Sequence, residues 1–182
     1  MRIGLNINKI AYILSMIKLL NDHIVDILSK NEDKISIALK QRAKFEGWLK
    51  LELAYKLLQS YSDVKIEFPY PCNNRKHADI YASNALIELK TPNTNYHADN
   101  CVSCIRPITK NIESIIDDIN KLQEFGGQYK KYISFVLFPV DVKEGYKEYI
   151  QRINNTGVVL EDRSVVINEI PILVCSAEVV LT

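Results

Sequence analysis

Apolar residues near the start of the chain recur at alternating steps of three and four. They are Ile10, Ile13, Ile17, Leu20, Ile24 and Ile27. This spacing places them on one side of a helix, so it predicts an amphipathic N-terminal helix over residues 8–30. The same spacing resembles a short heptad run, and a coiled-coil dimer seam is therefore an alternative. The shortness of the run favours a helix that packs on its own domain.

A second helical pattern runs from about Ile35 to Ser60, after a polar loop over 31–34. Its stripe contains Leu39, Glu46, Leu49, Leu53 and Leu57. A carboxylate on an apolar stripe is costly unless it is paired or bound to a cation, so Glu46 is a candidate site residue. A place at the edge of the stripe, where Glu46 reaches solvent, explains it equally well. Glu52, with Lys56 one turn later, predicts a surface ion pair.

Two short apolar runs flank Ser83-Asn84, which predicts a β-hairpin with a tight turn. If these two residues form the whole loop, Asp79 lies directly opposite Glu88 on the neighbouring strand. Side chains alternate between faces along a strand, so Glu88 and Lys90 share a face. Opposed side chains have Cβ atoms roughly 5 Å apart, and two carboxylates at that distance repel. The pattern therefore predicts a divalent cation between the two acids, with Lys90 beside it.

The rest of the chain predicts further elements around this hairpin. A strand at 64–68 and a loop at 69–75 precede it, and a long polar loop at 91–104 follows. An apolar stripe from Ile112 to Phe125, closed by Gly126 and Gly127, predicts a helix with a glycine C-cap. The nearly continuous apolar run at 132–138 is typical of a strand that is covered on both faces. The hairpin strand that carries Glu88, the predicted helix and the apolar strand at 132–138 would form a βαβ unit.

The C-terminal part predicts one more helix and a group of short strands. The predicted helix spans 142–153, and the predicted strands span 158–160, 165–167 and 172–180. We therefore predict a single α/β domain over 1–182, with a mixed sheet flanked by helices. Its parts are the N-terminal helix at 8–30, a core at about 35–140 and the C-terminal helix and strands at 141–182.

Composition and charge narrow the function classes. The 182 residues are 47% hydrophobic and 25% charged, which is ordinary for a soluble globular domain. The net charge of +1 means that contact with nucleic acid would depend on local basic clusters. The candidate clusters are Lys40, Arg42 and Lys44; Arg75, Lys76 and His77; and Lys130 and Lys131. Each of them alone is more typical of a solvated surface.

No apolar segment is long enough to cross a membrane or resembles a secretory signal, which predicts a cytoplasmic protein with no membrane partner. The four cysteines include one CxxC pair, Cys101 and Cys104, besides Cys72 and Cys175. No second CxxC and no histidine at zinc-ligand spacing accompany the pair, which favours ordinary thiols over a metal cluster. A disulfide between Cys101 and Cys104 is unfavourable in the cytosol.

Carboxylates that hold a hard divalent cation suit the hydrolysis of phosphodiesters. Such a cation neutralises the phosphate, activates water and stabilises the leaving oxygen. Mg²⁺ takes oxygen ligands and keeps several waters, so the carboxylates of Asp79 and Glu88 suffice. Lys90 would orient or deprotonate the attacking water, or offset the developing charge. The sequence leaves its protonation state open, because a cation and the acids act on its pKa in opposite directions.

Glu46, Asp79 and the run Glu88-Leu89-Lys90 together resemble the PD-(D/E)xK nuclease superfamily, which includes restriction endonucleases, Holliday-junction resolvases and repair nucleases. The resemblance covers roughly 35–140, and Phe45-Glu46-Gly47-Trp48-Leu49 is similar to the family's helix motif. It implies a restriction endonuclease-like fold and a magnesium site, where Mn²⁺ can substitute. Asp79 and Glu88 would be the principal ligands, the Leu89 carbonyl a further ligand, Glu46 an assisting acid and Lys90 the catalytic lysine.

The chain departs from the family pattern at two points. Ala78 stands where the motif has proline, and the glutamine-tyrosine element of some members has only Gln123 and Gln128 as candidates. The expected function is a Mg²⁺-dependent endonuclease acting on double-stranded DNA, of restriction, junction-resolving or repair type. Cutting both strands calls for a two-fold homodimer. A nuclease-like binding or scaffolding subunit without turnover and an RNA-directed nuclease are the alternatives. His77, His97 and Tyr96 are weaker candidates for contact with nucleic acid.

Overall fold

The computed structural model describes residues 4–70, 73–103, 108–124, 128–141 and 143–180, without the side chains of 4–15 and 73–75. The described residues form five helices and six strands. The helices are α1 (Gly4–Lys30), α2 (Glu32–Gln41), α3 (Glu46–Leu58), α4 (Ile108–Glu124) and α5 (Lys147–Asn154). The strands are β1 (Lys65–Tyr70), β2 (Asn73–Ala82), β3 (Ala85–Lys90), β4 (Lys130–Leu137), β5 (Glu161–Ile167) and β6 (Ile170–Glu178).

The six strands form one mixed sheet in the order β1-β2-β3-β4-β6-β5. Strands β1, β2 and β3 form an antiparallel meander, and β4 lies parallel to β3. The connection from β3 to β4 runs through α4, as predicted for the βαβ unit. Strand β6 is antiparallel to both β4 and β5. The predicted α/β class with a mixed sheet and flanking helices is confirmed.

Helices cover both faces of the sheet. One apolar cluster combines α1, α2 and α3 with one face, and the other combines α4 and α5 with the opposite face. Strand β4 contributes Tyr132 to the first cluster and Ile133 to the second. Such burial on both sides explains its nearly unbroken apolar sequence. The β2–β3 hairpin thus lies between two helical layers.

The hairpin turn has the predicted length of two residues. Ser83 and Asn84 both have positive φ angles, 48° and 63°, which a type I′ turn requires at its two central residues. Ala82 pairs with Ala85, and the pairing continues to Ile80 and Ile87. The turn therefore fixes the register of the two strands that carry the predicted site.

The predicted long helix over 35–60 is two helices instead. It is interrupted at Arg42, whose φ of 52° places it in the left-handed region. The Arg42 side chain is buried and donates hydrogen bonds to the carbonyls of Thr94, Tyr96 and Val102. Arg42 therefore joins the α2–α3 turn to the loop after β3. The predicted surface cluster of Lys40, Arg42 and Lys44 is wrong in this respect, because Arg42 is buried.

The N-terminal helix packs on its own domain over its described side chains. Ile17, Leu20, Ile24 and Ile27 are all buried in the cluster with α3 and the sheet. The alternative of a dimer seam along these residues is wrong, because the same surface is already covered within the chain. The side chains of Ile10 and Ile13 lie outside the described residues.

Several other boundaries and pairings differ from prediction. Part of the predicted loop at 69–75 belongs to β1 and β2, residues 158–160 form no strand, and α5 begins only at Lys147. Lys56 pairs with Asp26 on α1 rather than with Glu52, because tertiary packing brings α1 alongside α3. Lys131 is buried and cannot belong to a surface basic cluster, and burial lowers its pKa.

Some predictions fall on residues outside the described part of the chain. They are the C-cap at Gly126 and Gly127, the side chain of Arg75, and Cys72 and Cys104. Cys101 and Cys175 are free thiols. Among the described helices, none is long and apolar enough to cross a membrane.

Candidate functional site

The predicted site lies where the hairpin strands separate. The β2–β3 ladder ends at the pair Ile80 and Ile87. At the next position the Oδ2 atom of Asp79 accepts a hydrogen bond of 2.9 Å from the backbone N–H of Leu89. A side chain thus replaces a backbone carbonyl as the partner of this amide. The Asp79 carboxylate is thereby held against the Glu88-Leu89-Lys90 segment.

Strand alternation breaks at Asp79. Ile80 packs in the α1–α3 cluster, whereas Ala78, two residues earlier, packs in the α4 cluster. On β1, Ile66 pairs with Ile80 and Phe68 pairs with Ala78, so Glu67 is the β1 residue beside Asp79. The φ angle of Glu67 is 49°. A positive φ is uncommon for a residue other than glycine and indicates a local departure from extended geometry. Both strands therefore kink beside the site, and Asp79 takes no regular place on either face.

Lys50 of α3 compensates the charge of Asp79. Its Nζ lies 3.2 Å from Asp79 Oδ1 and also pairs with Glu67. Burial alone would lower the pKa of Lys50, but the two carboxylates outweigh burial and raise it. Lys50 is therefore a charged bridge between the two residues at the kink.

Glu88 is buried on the α4 side of the sheet, with a side chain only 4% exposed. Its Oε1 accepts hydrogen bonds of 2.5 Å from the Tyr70 hydroxyl and 2.5 Å from Lys121 Nζ. Burial raises the pKa of Glu88 to about 7, although both donors favour its charged form. The Lys121 ammonium also lies 5.1 Å from the centre of the Tyr70 ring. Glu88 is consequently poised between its neutral and charged forms near neutral pH.

Lys90 is paired with an acid of α4. Its Nζ lies 2.8 Å from Asp118 Oδ2 and 3.8 Å from Glu46 Oε1. Burial would lower the pKa of Lys90, but the ion pair with Asp118 and the nearby carboxylates outweigh burial and raise it. Lys90 is therefore held in its charged form.

Glu46 is the first residue of α3, and its side chain is 28% exposed. The sequence left two interpretations open, a carboxylate on the buried apolar stripe or one that reaches solvent. The observed exposure of Glu46 is intermediate between the two. Burial is the main cause that raises its pKa, and the charge of Asp79 adds to the effect. The field of Asp79 also raises the pKa of Glu88 and of Lys90. The four predicted side chains thus form one electrostatically coupled group.

Five residues of this group were missed by sequence reasoning. They are Lys50, Glu67, Tyr70, Asp118 and Lys121. Asp118 and Lys121 are three residues apart, which places them on the same side of α4, beside the buried positions Ile115 and Ile119. A charged pair bordering an apolar stripe was the one signal available. The other three partners depend on contacts between distant segments.

The predicted pairing of Asp79 and Glu88 across a shared cation needs correction in one respect. The sequence placed Lys90 beside both acids, but each acid instead has its own lysine, Lys50 or Lys121. The helices on opposite faces of the sheet supply these lysines, and no pattern within the hairpin could reveal them.

The donor set suits a hard cation. Five carboxylates share three ammonium groups around the strand ends. Burial is the main cause that raises the pKa of Glu46 and of Glu88, and the charge of Asp79 adds to it. Within the described part of the chain, no three His, Cys, Asp or Glu residues lie close enough to share one metal ion. Mg²⁺ needs only one or two carboxylates besides water, so Asp79 and Glu88 could hold it. The whole predicted ligand set, Asp79, Glu88, Glu46 and the Leu89 carbonyl, stays a prediction.

The weaker candidates make no described contact with the four predicted side chains. His97 is 87% exposed and lies 3.5 Å from Asp99, and Tyr96 is half-buried on the same loop. Gln123 donates a hydrogen bond to the carbonyl of Thr156, and the Gln128 carbonyl accepts one from Asn84. His77 is exposed, and its carbonyl accepts a hydrogen bond from Lys121. None of these contacts is made with Glu46, Asp79, Glu88 or Lys90.

Comparison of the chain with models of known families, with characterised proteins and with solved structures gives no match.

Proposed function

We propose that this protein is a Mg²⁺-dependent endonuclease that hydrolyses phosphodiester bonds in DNA. The observation that carries the proposal is the coupled group of Glu46, Asp79, Glu88 and Lys90 at the end of the β2–β3 ladder. Its members come from three elements and share one electrostatic field. A solvent-facing hairpin whose lysine merely neutralised two acids would leave Glu46 unexplained.

The order of elements supports a restriction endonuclease-like fold. Glu46 is on the helix before the sheet, Asp79 on its second strand and Glu88-Leu89-Lys90 on its third. A helix and a buried strand parallel to β3 follow. This order is the one that the resemblance to PD-(D/E)xK nucleases implies.

Each residue then has a distinct role in the proposed site. A bound divalent cation supplies charge neutralisation and an activated water. Asp79 and Glu88 hold it, assisted by Glu46 and the Leu89 carbonyl. Lys90 donates hydrogen bonds and positive charge to a phosphate oxygen, because Asp118 keeps the pKa of Lys90 high. That charge state favours electrostatic stabilisation over proton abstraction by Lys90.

Plasmid cleavage tests the proposal directly. The purified protein should nick or cut plasmid DNA with Mg²⁺ or Mn²⁺, and Asp79→Ala, Glu88→Ala and Lys90→Ala should each abolish cleavage. Matched controls on exposed positions of α4 are Glu113→Ala, Asp117→Ala and Lys110→Ala, which should retain it. Undiminished cleavage by Glu88→Ala would exclude the proposed site.

A binding or scaffolding subunit without turnover is the second candidate. The pairing of Asp79, Glu88 and Lys90 with Lys50, Lys121 and Asp118 favours it, since such pairs can serve stability alone. Calorimetry with Mn²⁺ separates the two, because a scaffold has no need of the cation. A substrate panel that includes RNA distinguishes a ribonuclease, and sedimentation at several concentrations tests the proposed homodimer.

A further inference from the structure

A cleft of about 490 Å³ lies between α2 and the start of α3. It is lined by Lys34, Ile35, Ala38, Lys44, Phe45, Gly47 and Trp48. Its volume falls within the range of small-molecule sites in proteins. No part of the proposed phosphodiester chemistry uses it.

The inner surface of the cleft presents aromatic rings. Trp48 is half-buried, and the Phe45 ring meets it edge-on with centroids 6.3 Å apart. Phe45 in turn packs on Phe138 of the sheet at 5.2 Å, which fixes its position. Apart from its two chain neighbours and the backbone of its own helix, no atom of the described residues lies within 4 Å of the point where a Cβ at Gly47 would stand. The cleft is therefore open at Gly47, which lines it together with Trp48.

The rim of the cleft is positively charged. Lys34 and Lys44 are both exposed, and neither forms an ion pair with an acid in the described part of the chain. A ring surface with two exposed ammonium groups complements a ligand that is flat, apolar on its faces and anionic at its edge. A nucleotide has these properties, since every base has a π-face and every linkage a phosphate.

The cleft adjoins the proposed catalytic group. Lys44, Glu46 and Lys90 line one small hollow, so Lys44 borders both places. The backbone N–H of Phe45 also donates a hydrogen bond of 3.3 Å to the hydroxyl of Thr91, the residue after Lys90. A strand whose phosphate lies at Lys90 would thus place a neighbouring nucleotide at the cleft.

We propose that this cleft binds one unstacked base of the substrate strand against Trp48, with Lys34 and Lys44 on its phosphates. The proposal rests on the proposed function and names its substrate class. A base in an intact duplex is stacked on its neighbours and exposes only its edges. The substrate is therefore DNA with an unpaired nucleotide near the cut, such as an overhang, a flap or a branch.

Trp48 is the only tryptophan in the chain, so its fluorescence reports directly on the cleft. The experiment titrates the full chain in EDTA with an oligothymidylate, with the blunt duplex that contains it, and with the same duplex carrying a single-stranded overhang. We expect saturable quenching by the single strand and by the overhang, and at least about fivefold weaker binding of the blunt duplex, since stacking contributes about 1–3 kcal/mol per base. Equal quenching by the blunt duplex, or no quenching by any of the three, overturns the proposal.

Two sets of variants confine the result to the cleft. Gly47→Phe adds a bulky ring to the open space at Gly47 in the cleft and should weaken oligothymidylate binding at least about fivefold, while Gly47→Ala should leave it unchanged. The surface double variant Lys34→Ala and Lys44→Ala keeps the test valid if Gly47→Phe fails to fold, and it should weaken binding and reduce its salt dependence. Unchanged affinity in the double variant overturns the proposal.

The two proposals can fail separately. Quenching in EDTA requires neither a cation nor turnover. Quenching with no Mg²⁺-dependent cleavage of either the plasmid or the overhang duplex would support the base site and overturn the nuclease, whereas cleavage without quenching would do the reverse.

Discussion

Lys90 lies 2.8 Å from Asp118 of α4, so the lysine of the Glu-x-Lys run takes its closest charged partner from outside the hairpin. Glu88, on the same strand, is paired instead with Lys121, one turn after Asp118. Helix α4 thus supplies a partner of opposite charge to each of the two charged residues of the run. The charge states of both residues therefore depend on how α4 packs.

Replacement of Asp118 by asparagine should lower the pKa of Lys90. The amide keeps the shape of the side chain but removes the negative charge that offsets burial of the lysine. We expect the alkaline limb of the cleavage profile to move to lower pH, and NMR of labelled lysine to show the shift directly. Asp117→Asn, on an exposed neighbouring position, is the control and should leave both unchanged.

Glu88 should make the protein less stable as the pH rises from about 4.5 to about 7. Its pKa is about 7 in the folded protein against 4.5 in the reference state. The folded chain therefore binds this proton more tightly than the unfolded chain, and the resulting stabilisation disappears as the pH passes the folded value. Relative to Glu88→Gln, the wild type should lose about 3 kcal/mol over this interval in urea unfolding. Parallel pH profiles of the two proteins would contradict this assignment.

Divalent cations should stabilise the protein more above the pKa of Glu88 than below it, because protons and cations compete for the same carboxylate. With Mn²⁺ at 100 times its Kd, the expected gain in unfolding free energy is about 2.7 kcal/mol. Thermal unfolding with and without EDTA measures it. Asp79→Asn and Glu88→Gln should remove the gain, whereas Glu113→Gln should retain it. A gain that is independent of pH would place the cation elsewhere.

Lys50→Met should destabilise the protein by about 2 kcal/mol, because it removes the ammonium group that pairs with both Glu67 and Asp79. Glu67→Gln in the same chain should recover part of this loss by removing one of the two acids. Urea unfolding of the single and double variants gives the coupling energy. Simple additivity of the two substitutions would show that Lys50 does not join these carboxylates.

Arg42→Lys should destabilise the protein by about 3 kcal/mol or more. Three carbonyls accept hydrogen bonds from the buried Arg42 side chain, and one ammonium cannot reproduce the forked geometry of the guanidinium. Proteolysis of the native protein should then become faster within 91–103, since Arg42 holds that loop. Lys44→Arg, on an exposed neighbouring position, is the control. An unchanged cleavage rate in the loop would mean that Arg42 does not anchor it.

Local patterns predicted most of the fold. The periodicity of α4, the apolar run of β4 and the Ser83-Asn84 turn each carry their signal within a few residues. The break between α2 and α3 had no such signal, since neither glycine nor proline occurs at 42–45. Arg42 adopts its left-handed conformation where its side chain meets the carbonyls of Thr94, Tyr96 and Val102. The end of α2 thus coincides with contacts to the loop after β3, which is distant in the sequence.

The candidate site was predictable only in part, for the same reason. The hairpin register gave the positions of Asp79 and Glu88 along the strands, but the kink at Asp79 depends on Glu67 of β1. The partners Lys50 and Lys121 come from helices on opposite faces of the sheet. Spacing along one chain segment cannot reveal a charge that arrives from another layer.

The hydrogen bond between Phe45 and Thr91 gives the start of α3 and the end of β3 a common joint. A base bound against Trp48 would act through this joint on Lys90 and its neighbours, which would link the two proposed sites thermodynamically. Linkage is reciprocal: the factor by which a nucleotide changes the affinity for the cation equals the factor by which the cation changes the affinity for the nucleotide. Binding of a substrate with an unpaired base would then change the affinity of the protein for the cation before any bond is broken.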